Sequence, residues 1–351
     1  MSWKPDYERL LKALKRLGEP DRVPLVELGI SVKIKEALLG KKYESLKDEV
    51  DFALCAGYDY VKLQPIIDMN PAKILPRNAP SLTPMIEVEG MRKWADEHNG
   101  IICNNEDFER YVFPTIESID YSRFEKIKSY LPDEMTVIGQ YGDIFTMVWE
   151  MMGFENFSMA LFENPILIER LFDKIGNIIY SMFENMVQMD IVKILWYSDD
   201  IAYATGLMIS PAILRQYFFP WLSKIGKLAR KYNKPFMYHT DGVLWDVFDD
   251  IVSSGVNAIH PIEPKAMDIV EVKKRYGQSL CVIGNIDLAY TLTRGTVEEV
   301  EAEVKEKIQK VAPGGGYCLG SSNSVPEYVK TENYIAMVNA CKKYGVYPIQ
   351  I

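Results

Sequence analysis

Short apolar runs alternate with longer segments of helical periodicity along most of this chain. Runs of four to seven apolar residues bounded by turn residues are typical of buried parallel strands. Eight predicted strands lie at 23–29, 58–63, 136–141, 192–197, 235–238, 258–261, 280–284 and 316–319. Because the repeat count is eight and no G-x-G-x-x-G follows the first run, the pattern predicts an α/β TIM (β/α)8 barrel rather than an open doubly wound sheet.

Helix start and stop signals support this alternation. An amphipathic N-terminal helix is predicted at 4–17. Ser210, directly before a proline, is a helix start, and Thr296 with Glu299 has the spacing of a capping box. Gly345 follows the last predicted helix.

One insertion, at about 65–132, interrupts the alternation between the second and third predicted strands. Asn99-Gly100 lies there between two strand-like arms, which is a hairpin turn signal. We therefore expect a single barrel domain, 1–351, with an inserted hairpin flap over the barrel mouth; a peripheral hairpin without a catalytic part is the alternative.

Charge and composition exclude several classes of protein. The chain has 351 residues and a net charge of −9, with no basic run of the kind that binds nucleic acid. No apolar segment approaches 20 residues, so neither a membrane helix nor a signal peptide is expected. Five cysteines are scattered singly, which is typical of reduced thiols. These features predict a cytoplasmic protein.

The tripeptide His239-Thr240-Asp241 carries the strongest chemical signal. It follows a predicted strand and is closed by Gly242. Residues two apart on a strand point to the same face, so His239 and Asp241 can converge on one metal ion or one substrate atom.

Polar residues also follow most other predicted strands, and in a barrel these ends meet around one cleft. The catalytic candidates are His239, Asp241, His260, Asp200 and Tyr141. The candidates for substrate binding are Glu27, Gln64, Gln140, Glu263, Asn285, Asp287, Ser322 and Asn323. A purely structural hydrogen-bond network is the alternative for such a ring.

Two interpretations are open for His239 with Asp241 and for His260, and in the pair Asp199-Asp200 one member can simply face solvent. His239 and Asp241 can hold a divalent metal such as zinc, or Asp241 can orient the histidine without metal. His260 is a candidate general acid or base, or part of a strand end held by Glu263. Asp200, next to Asp199, is a candidate acid because repulsion within a carboxylate pair raises one pKa.

From about residue 199 to 344 the sequence resembles the uroporphyrinogen decarboxylase superfamily, in particular its branch of corrinoid-dependent methyltransferases. The resemblance is carried by DDIAYATGLMISPAILRQYFFPWL, HTDG, HPIEPKAMDIVEVKKRYG, IGNID and APGGGYCLGSSNSVP. It implies a TIM barrel with a deep cleft at the carboxyl face, and a homodimer formed through the barrel mouth.

The chain departs from both branches of the superfamily. The decarboxylases carry an N-terminal arginine cluster that grips the substrate carboxylates, whereas residues 21–29 here read DRVPLVELG. Methyltransferases that act on thiols hold zinc through His-x-Cys and a later cysteine. Asp241 stands at the place of the first cysteine, and the later position falls on Ser321, Ser322 or Asn323. A harder site of this kind favours oxygen or nitrogen over a thiol.

We therefore predict a methyltransferase that moves a methyl group between a small-molecule substrate and a separate corrinoid protein, with zinc as the candidate metal. No D-x-H-x-x-G corrinoid signature occurs in the chain, so a partner would supply the corrinoid. The alternative is a cofactor-free carboxy-lyase, a decarboxylase with His260, Asp200 or Tyr141 as proton donor. A non-enzymatic sensor of a small molecule is the third class.

Overall fold

A parallel β-sheet forms the centre of the protein. The computed structural model describes residues 3–69 and 100–350, with the backbone of two further short strands at 76–77 and 94–95. The sheet contains seven strands in the order β1 (Tyr60–Leu63), β4 (Thr136–Gly142), β5 (Val192–Ser198), β8 (Phe236–His239), β9 (Ala258–His260), β10 (Cys281–Ile283) and β11 (Tyr317–Cys318). Every neighbouring pair in it is parallel. Two antiparallel pairs lie outside it, β2 (Pro76–Arg77) with β3 (Trp94–Ala95) and β6 (Ala202–Tyr203) with β7 (Gly206–Leu207).

Helices connect the strands, as expected for a TIM-barrel-like α/β fold. They are α1 (Tyr7–Leu14), α2 (Val32–Leu39), α3 (Leu46–Ala56), α4 (Asn105–Arg110), α5 (Ser122–Ile127), α6 (Ile144–Met152), α7 (Phe154–Glu163), α8 (Pro165–Met186), α9 (Pro211–Tyr217), α10 (Phe219–Lys231), α11 (Phe248–Ser253), α12 (Ile269–Tyr276), α13 (Val297–Val311) and α14 (Thr331–Tyr344). The expected helix signals are confirmed. The Ser210 side chain caps α9, Thr296 and Glu299 form a capping box on α13, and α14 ends before Gly345.

The first predicted strand, 23–29, is not a regular strand of the sheet. It lies beside β11 through a single parallel bridge between Leu25 and Leu319. Pro24 has no N–H to donate, which helps to explain why the hydrogen-bond ladder stays short. The segment nevertheless occupies the eighth position, so the predicted barrel is confirmed with seven regular strands and one irregular one.

On its other side this segment is tied to β1 by a tyrosine side chain. The buried hydroxyl of Tyr60 accepts a hydrogen bond from the Glu27 N–H at 2.8 Å and donates one to the Glu27 carbonyl at 3.1 Å. One side chain thus satisfies both backbone groups of a residue that has no strand partner there.

The insertion contains one antiparallel strand pair, β2 with β3, but both strands lie before the expected turn at Asn99-Gly100 and not on either side of it. Asn99, the first turn residue, lies outside the described residues. After Gly100 the chain continues as coil to α4 instead of forming a second strand arm. The local sequence explains the helix, since Asn104 accepts a hydrogen bond from the Asp107 N–H and caps α4.

Aromatic and aliphatic side chains fill the space between sheet and helices. Tyr197 and Tyr238 stack with ring centroids 5.9 Å apart, and both rings contact Phe218 next to α10. This packing fixes β5 and β8 side by side, and their carboxyl ends carry the polar residues considered below. Within the described part of the chain, no helix is both long and apolar enough to cross a membrane.

Tyr60→Phe should lower the free energy of unfolding by about 1–3 kcal/mol, because it leaves the buried Glu27 N–H without a partner. Tyr232→Phe is the matched control, since Tyr232 is exposed at the surface. Urea unfolding of both variants checks this prediction, and an equal loss in the two would contradict the role given to Tyr60.

Candidate functional site

The register of three adjacent strands brings two histidines together. Ser198 on β5 pairs with His239 on β8, which pairs with His260 on β9. Paired residues of parallel strands lie on the same face, so both imidazoles enter the barrel interior at its carboxyl end. The Nδ1 atoms of His239 and His260 are 2.8 Å apart, close enough for one ring to donate a hydrogen bond to the other.

The residues around His239 fix the path of the chain. The Thr240 N–H donates a hydrogen bond to the His260 carbonyl, and the Thr240 hydroxyl accepts one from the Ile201 N–H at 3.2 Å. Gly242 has φ +88°, and a Cβ there would lie 2.6 Å from the backbone of Ala202. A larger residue would therefore displace Asp241, which explains the glycine that closes this sequence.

Asp200, His239 and Asp241 form one cluster. One ligand atom from each lies within 4.8 Å of the other two. The Asp241 N–H donates to the Asp200 carboxylate at 2.9 Å, and the His239 Nε2 is 3.8 Å from the same carboxylate oxygen. Asn323 donates to Oδ2 of Asp241 at 2.5 Å, whereas the buried Oδ1 has no partner among the described residues.

The cluster contains two carboxyl groups and one imidazole, and no cation of the described residues neutralises them. Burial, together with the nearby Asp200 and Glu263, raises the pKa of Asp241 to about 8. Burial lowers the pKa of His239, so its imidazole is neutral at neutral pH and has a lone pair available. A cation would stabilise the two carboxylates, and a neutral imidazole with two carboxylates is a set of ligands that divalent metals accept.

His260 is fully buried and contacts the edge of the Trp196 ring, with 5.4 Å between ring centroids. Burial first, and then His239 and Lys62, lower its pKa well below the usual range. A neutral buried imidazole is suited to orient His239 through the Nδ1 contact.

The two adjacent aspartates have different surroundings. Asp199 is buried and accepts hydrogen bonds from the N–H groups of Phe145 and Thr146 at the start of α6, and from the Tyr197 hydroxyl. It therefore anchors that helix. Asp200 is half exposed on the side of His239, so of the pair it is the one available to a ligand.

Glu27 lies within the barrel wall. Its carboxyl accepts hydrogen bonds from the Ser321 N–H at 2.7 Å and the Ser321 hydroxyl at 2.6 Å. Burial raises its pKa to about 8, despite these two donors. The carboxyl thus joins the irregular strand to the segment after β11, and its bonds hold the neighbouring Ser322 and Asn323 in place.

Two further candidates, Gln64 directly after β1 and Gln140 on β4, are joined by a hydrogen bond between their amides. Gln64 donates to Gln140, which donates to the Ser198 hydroxyl at 2.9 Å, next to the register position of His239. Tyr141 is half-buried, and burial raises its pKa above the usual range. It is therefore a neutral hydroxyl at the same end of the barrel.

The remaining candidates make local contacts after β9, β10 and β11. Asn285 donates to the Ile262 carbonyl at 2.6 Å, and its own Oδ1 has no partner among the described residues. The Asp287 carboxylate accepts from two N–H groups of the following turn. The Ser322 hydroxyl accepts from the Leu288 N–H at 3.0 Å. Glu263 acts on Asp241 through its charge.

Two side chains inside the barrel are absent from the sequence-based candidates. Lys62 on β1 has its ammonium 6.0 Å from the centre of the Trp196 ring on β5. The sequence did offer a signal for Lys62, because a lysine stands in the middle of the short strand Tyr60–Leu63. It is two residues before the candidate Gln64, so the period of a strand puts both on the same face. The indole of Trp196 gave no signal, because tryptophan in a buried strand is ordinary core.

Comparisons with known proteins agree with this architecture. The family described as Uroporphyrinogen decarboxylase (URO-D) matches residues 98–344. A Methylcobamide:CoM methyltransferase MtaA from Methanosarcina barkeri is 24% identical over 215 residues, which are 61% of this chain and 59% of that protein. A Uroporphyrinogen decarboxylase from Ruthia magnifica is 18% identical over 230 residues, 62% of this chain and 63% of that protein.

A solved structure of a methyltransferase from Methanosarcina mazei has a similar fold. It aligns with 96% of this chain and 98% of its own length, with a TM-score of 0.67 and 18% identity. The sequence matches to the two curated relatives span about three fifths of their length.

Glu27→Gln should make the protein progressively more stable, relative to wild type, as the pH rises from about 5 to about 8. In that interval the unfolded carboxyl ionises while the folded one keeps its proton, so wild-type stability falls with rising pH. Above about 8 the difference becomes constant. We expect the free energy of unfolding of Glu27→Gln to rise by a few kcal/mol relative to wild type, because each unit by which folding raises the Glu27 pKa corresponds to about 1.4 kcal/mol.

Urea unfolding at pH 5.5 and 8.5 measures this gain, with the exposed Glu163→Gln as the control variant. A difference between Glu27→Gln and wild type that stays the same at both pH values would refute a buried, protonated Glu27.

Proposed function

The chain belongs to the uroporphyrinogen decarboxylase family, and from that premise we propose that it is a methyltransferase working with a separate corrinoid protein. The observation that carries this proposal is the cluster of Asp200, His239 and Asp241 at the carboxyl end of the barrel. The relative named as a methyltransferase and the similar fold of the methyltransferase from Methanosarcina mazei support the same reaction class.

The residues of the cluster fit a divalent metal such as zinc. Asp241 keeps one buried carboxylate oxygen without a partner in the described part of the chain. The neutral His239 offers Nε2, while its Nδ1 faces His260, which is the usual arrangement of a metal-binding histidine and the group that orients it. His239, Asp241 and Asp200 would hold the ion. When bound, it would supply Lewis acidity at the heteroatom of the methyl donor.

The oxygen and nitrogen ligands suggest the substrate's leaving group. Zinc sites that activate thiols use thiolate ligands, whereas a His and two Asp form a harder site. We therefore favour a methoxylated or methylamine-type substrate over a thiol. The methyl–heteroatom bond would break with its electron pair left on the heteroatom, which then takes up a proton. The methyl group would pass to the Co(I) corrinoid of the partner.

The chain's own residues would prepare this transfer. His260 would hold the His239 ring through the Nδ1 contact, and Asn323 would orient Asp241 through Oδ2. Tyr141 is in register with Tyr197, whose ring packs between sheet and helices, so the leaving heteroatom would take its proton from water rather than from this hydroxyl. Gln64 and Gln140 extend this polar surface for substrate binding.

Metal content tests the cluster directly. Protein purified without chelator should contain about one equivalent of zinc per chain, and His239→Ala, Asp241→Ala and Asp200→Ala should lose it, because each removes one of three ligands. Elemental analysis by mass spectrometry gives the measurement. Asp246→Ala, at an exposed position nearby in sequence, should keep the metal. Equal metal content in all five proteins would rule out this cluster as the site.

Methyl transfer tests the reaction. Wild-type protein should convert cob(I)alamin to methylcobalamin with at least one member of a panel of methoxyarenes, betaines and methylated thiols, followed by absorbance. His239→Ala should be at least about 100-fold slower, while Asp246→Ala should match wild type. No transfer across the panel would count against the proposal, and release of CO2 from a carboxylated substrate would favour the decarboxylase alternative.

A further inference from the structure

A charged side chain lies on the interior face of the barrel, on a strand whose other residues are Tyr60, Val61 and Leu63. Lys62 is at the middle of β1, in register with Ile138 on β4. Its side chain is partly exposed, and its ammonium is 6.0 Å from the Trp196 ring centre. Its charge also acts on both His239 and His260, so it lies near the histidine pair. Lys62 therefore lies on the same interior face as the histidine pair, and in the strand order β4 and β5 stand between β1 and β8.

Two buried polar atoms beside this lysine lack partners. Nε1 of Trp196 and Nε2 of His260 make no hydrogen bond within the described residues, although both side chains are 0% exposed. Their rings are in edge contact. A buried polar group left unpaired costs about 1–3 kcal/mol. A ligand that accepts a hydrogen bond from each of these two atoms would remove this cost.

The positive charge of Lys62 is also uncompensated among the described residues. Glu49 acts on it from a distance, but the Glu49 carboxylate is bound by Lys35 at 2.5 Å and by the Tyr43 hydroxyl at 2.6 Å. Burial and the charge of Lys35 lower the pKa of Lys62 to about 8, which still leaves it mostly protonated at neutral pH. A partly buried cation without a counter-ion is stabilised by an anionic ligand.

The chemistry of the three groups selects an anion. Lysine and tryptophan are donors only. If His239 donates from Nδ1 to His260, as a histidine that binds metal through Nε2 would, then His260 carries its own proton on Nε2. All three atoms then donate, and they come from three strands, β1, β5 and β9. A planar carboxylate, with two acceptor oxygens, matches such a set of donors.

We propose that Lys62, Trp196 and His260 bind a carboxylate group of the substrate. The methyl donor is then a small carboxylate, such as a methoxybenzoate or a betaine, held by its carboxylate inside the barrel with its methyl group toward His239 and Asp241. The identity of the methyl donor and the donor role of His260 rest on the proposed function, whereas Lys62 and Trp196 are donors whatever the reaction is.

Binding measured by calorimetry tests the pocket without any corrinoid. The probes are 4-methoxybenzoate and glycine betaine, each beside a relative without the carboxylate, 4-methoxybenzyl alcohol and choline. Wild-type protein should bind at least one carboxylate probe tenfold or more tighter than its relative. Lys62→Met should weaken that carboxylate at least tenfold, and Lys62→Arg should weaken it less. Lys193→Met, which removes a lysine at the amino end of β5, should have no effect.

Three results would overturn the pocket, given circular dichroism and thermal unfolding that match wild type. They are no binding of either carboxylate by wild type, equal binding of carboxylate and relative, and unchanged carboxylate binding by Lys62→Met. The proposed methyl transfer and the proposed carboxylate pocket can be refuted independently of each other. Lys62-dependent carboxylate binding without methylation of cob(I)alamin would refute only the proposed function, whereas 4-methoxybenzyl alcohol demethylated as fast as 4-methoxybenzoate would refute only the pocket.

Discussion

The candidate site depends on the two-residue period of parallel strands that end together. Because alternate side chains face the barrel interior, the register between β8 and β9 is enough to bring His239 onto His260. Asp241 follows two residues after His239, and Asp200 follows two residues after the end of the adjacent β5. A shift of one residue in β8 would turn both His239 and Asp241 toward the helices, and the cluster would be lost.

The sequence predicted the parts of this structure that follow from local rules. Strand ends, helix caps at Ser210 and Thr296, and the shared face of His239 and Asp241 all depend on residues close in sequence. Other features depend on long-range packing. The irregular segment 23–29 pairs with Leu319, almost 300 residues later. Lys62 becomes a candidate for ligand binding only because it lies against Trp196 on another strand. Neither relation has a local signature.

Electrostatics divides the barrel interior into two regions. Asp200 and Asp241 make one region acidic, and the raised pKa of Asp241 reflects the cost of placing a second negative charge in a buried place. Lys62 makes the region beside Trp196 positive. The neutral His239 and His260 lie within reach of both. A substrate with a carboxylate at one end and a methylated heteroatom at the other, together with a divalent cation, would balance both regions at once.

Crystallography with anomalous scattering at the zinc edge, on protein soaked with 4-methoxybenzoate, tests this account most directly. The account predicts a single anomalous peak among Asp200, His239 and Asp241, and the carboxylate of the ligand within hydrogen-bond distance of Lys62. A peak elsewhere on the protein, or a ligand bound with its carboxylate away from Lys62, would contradict it.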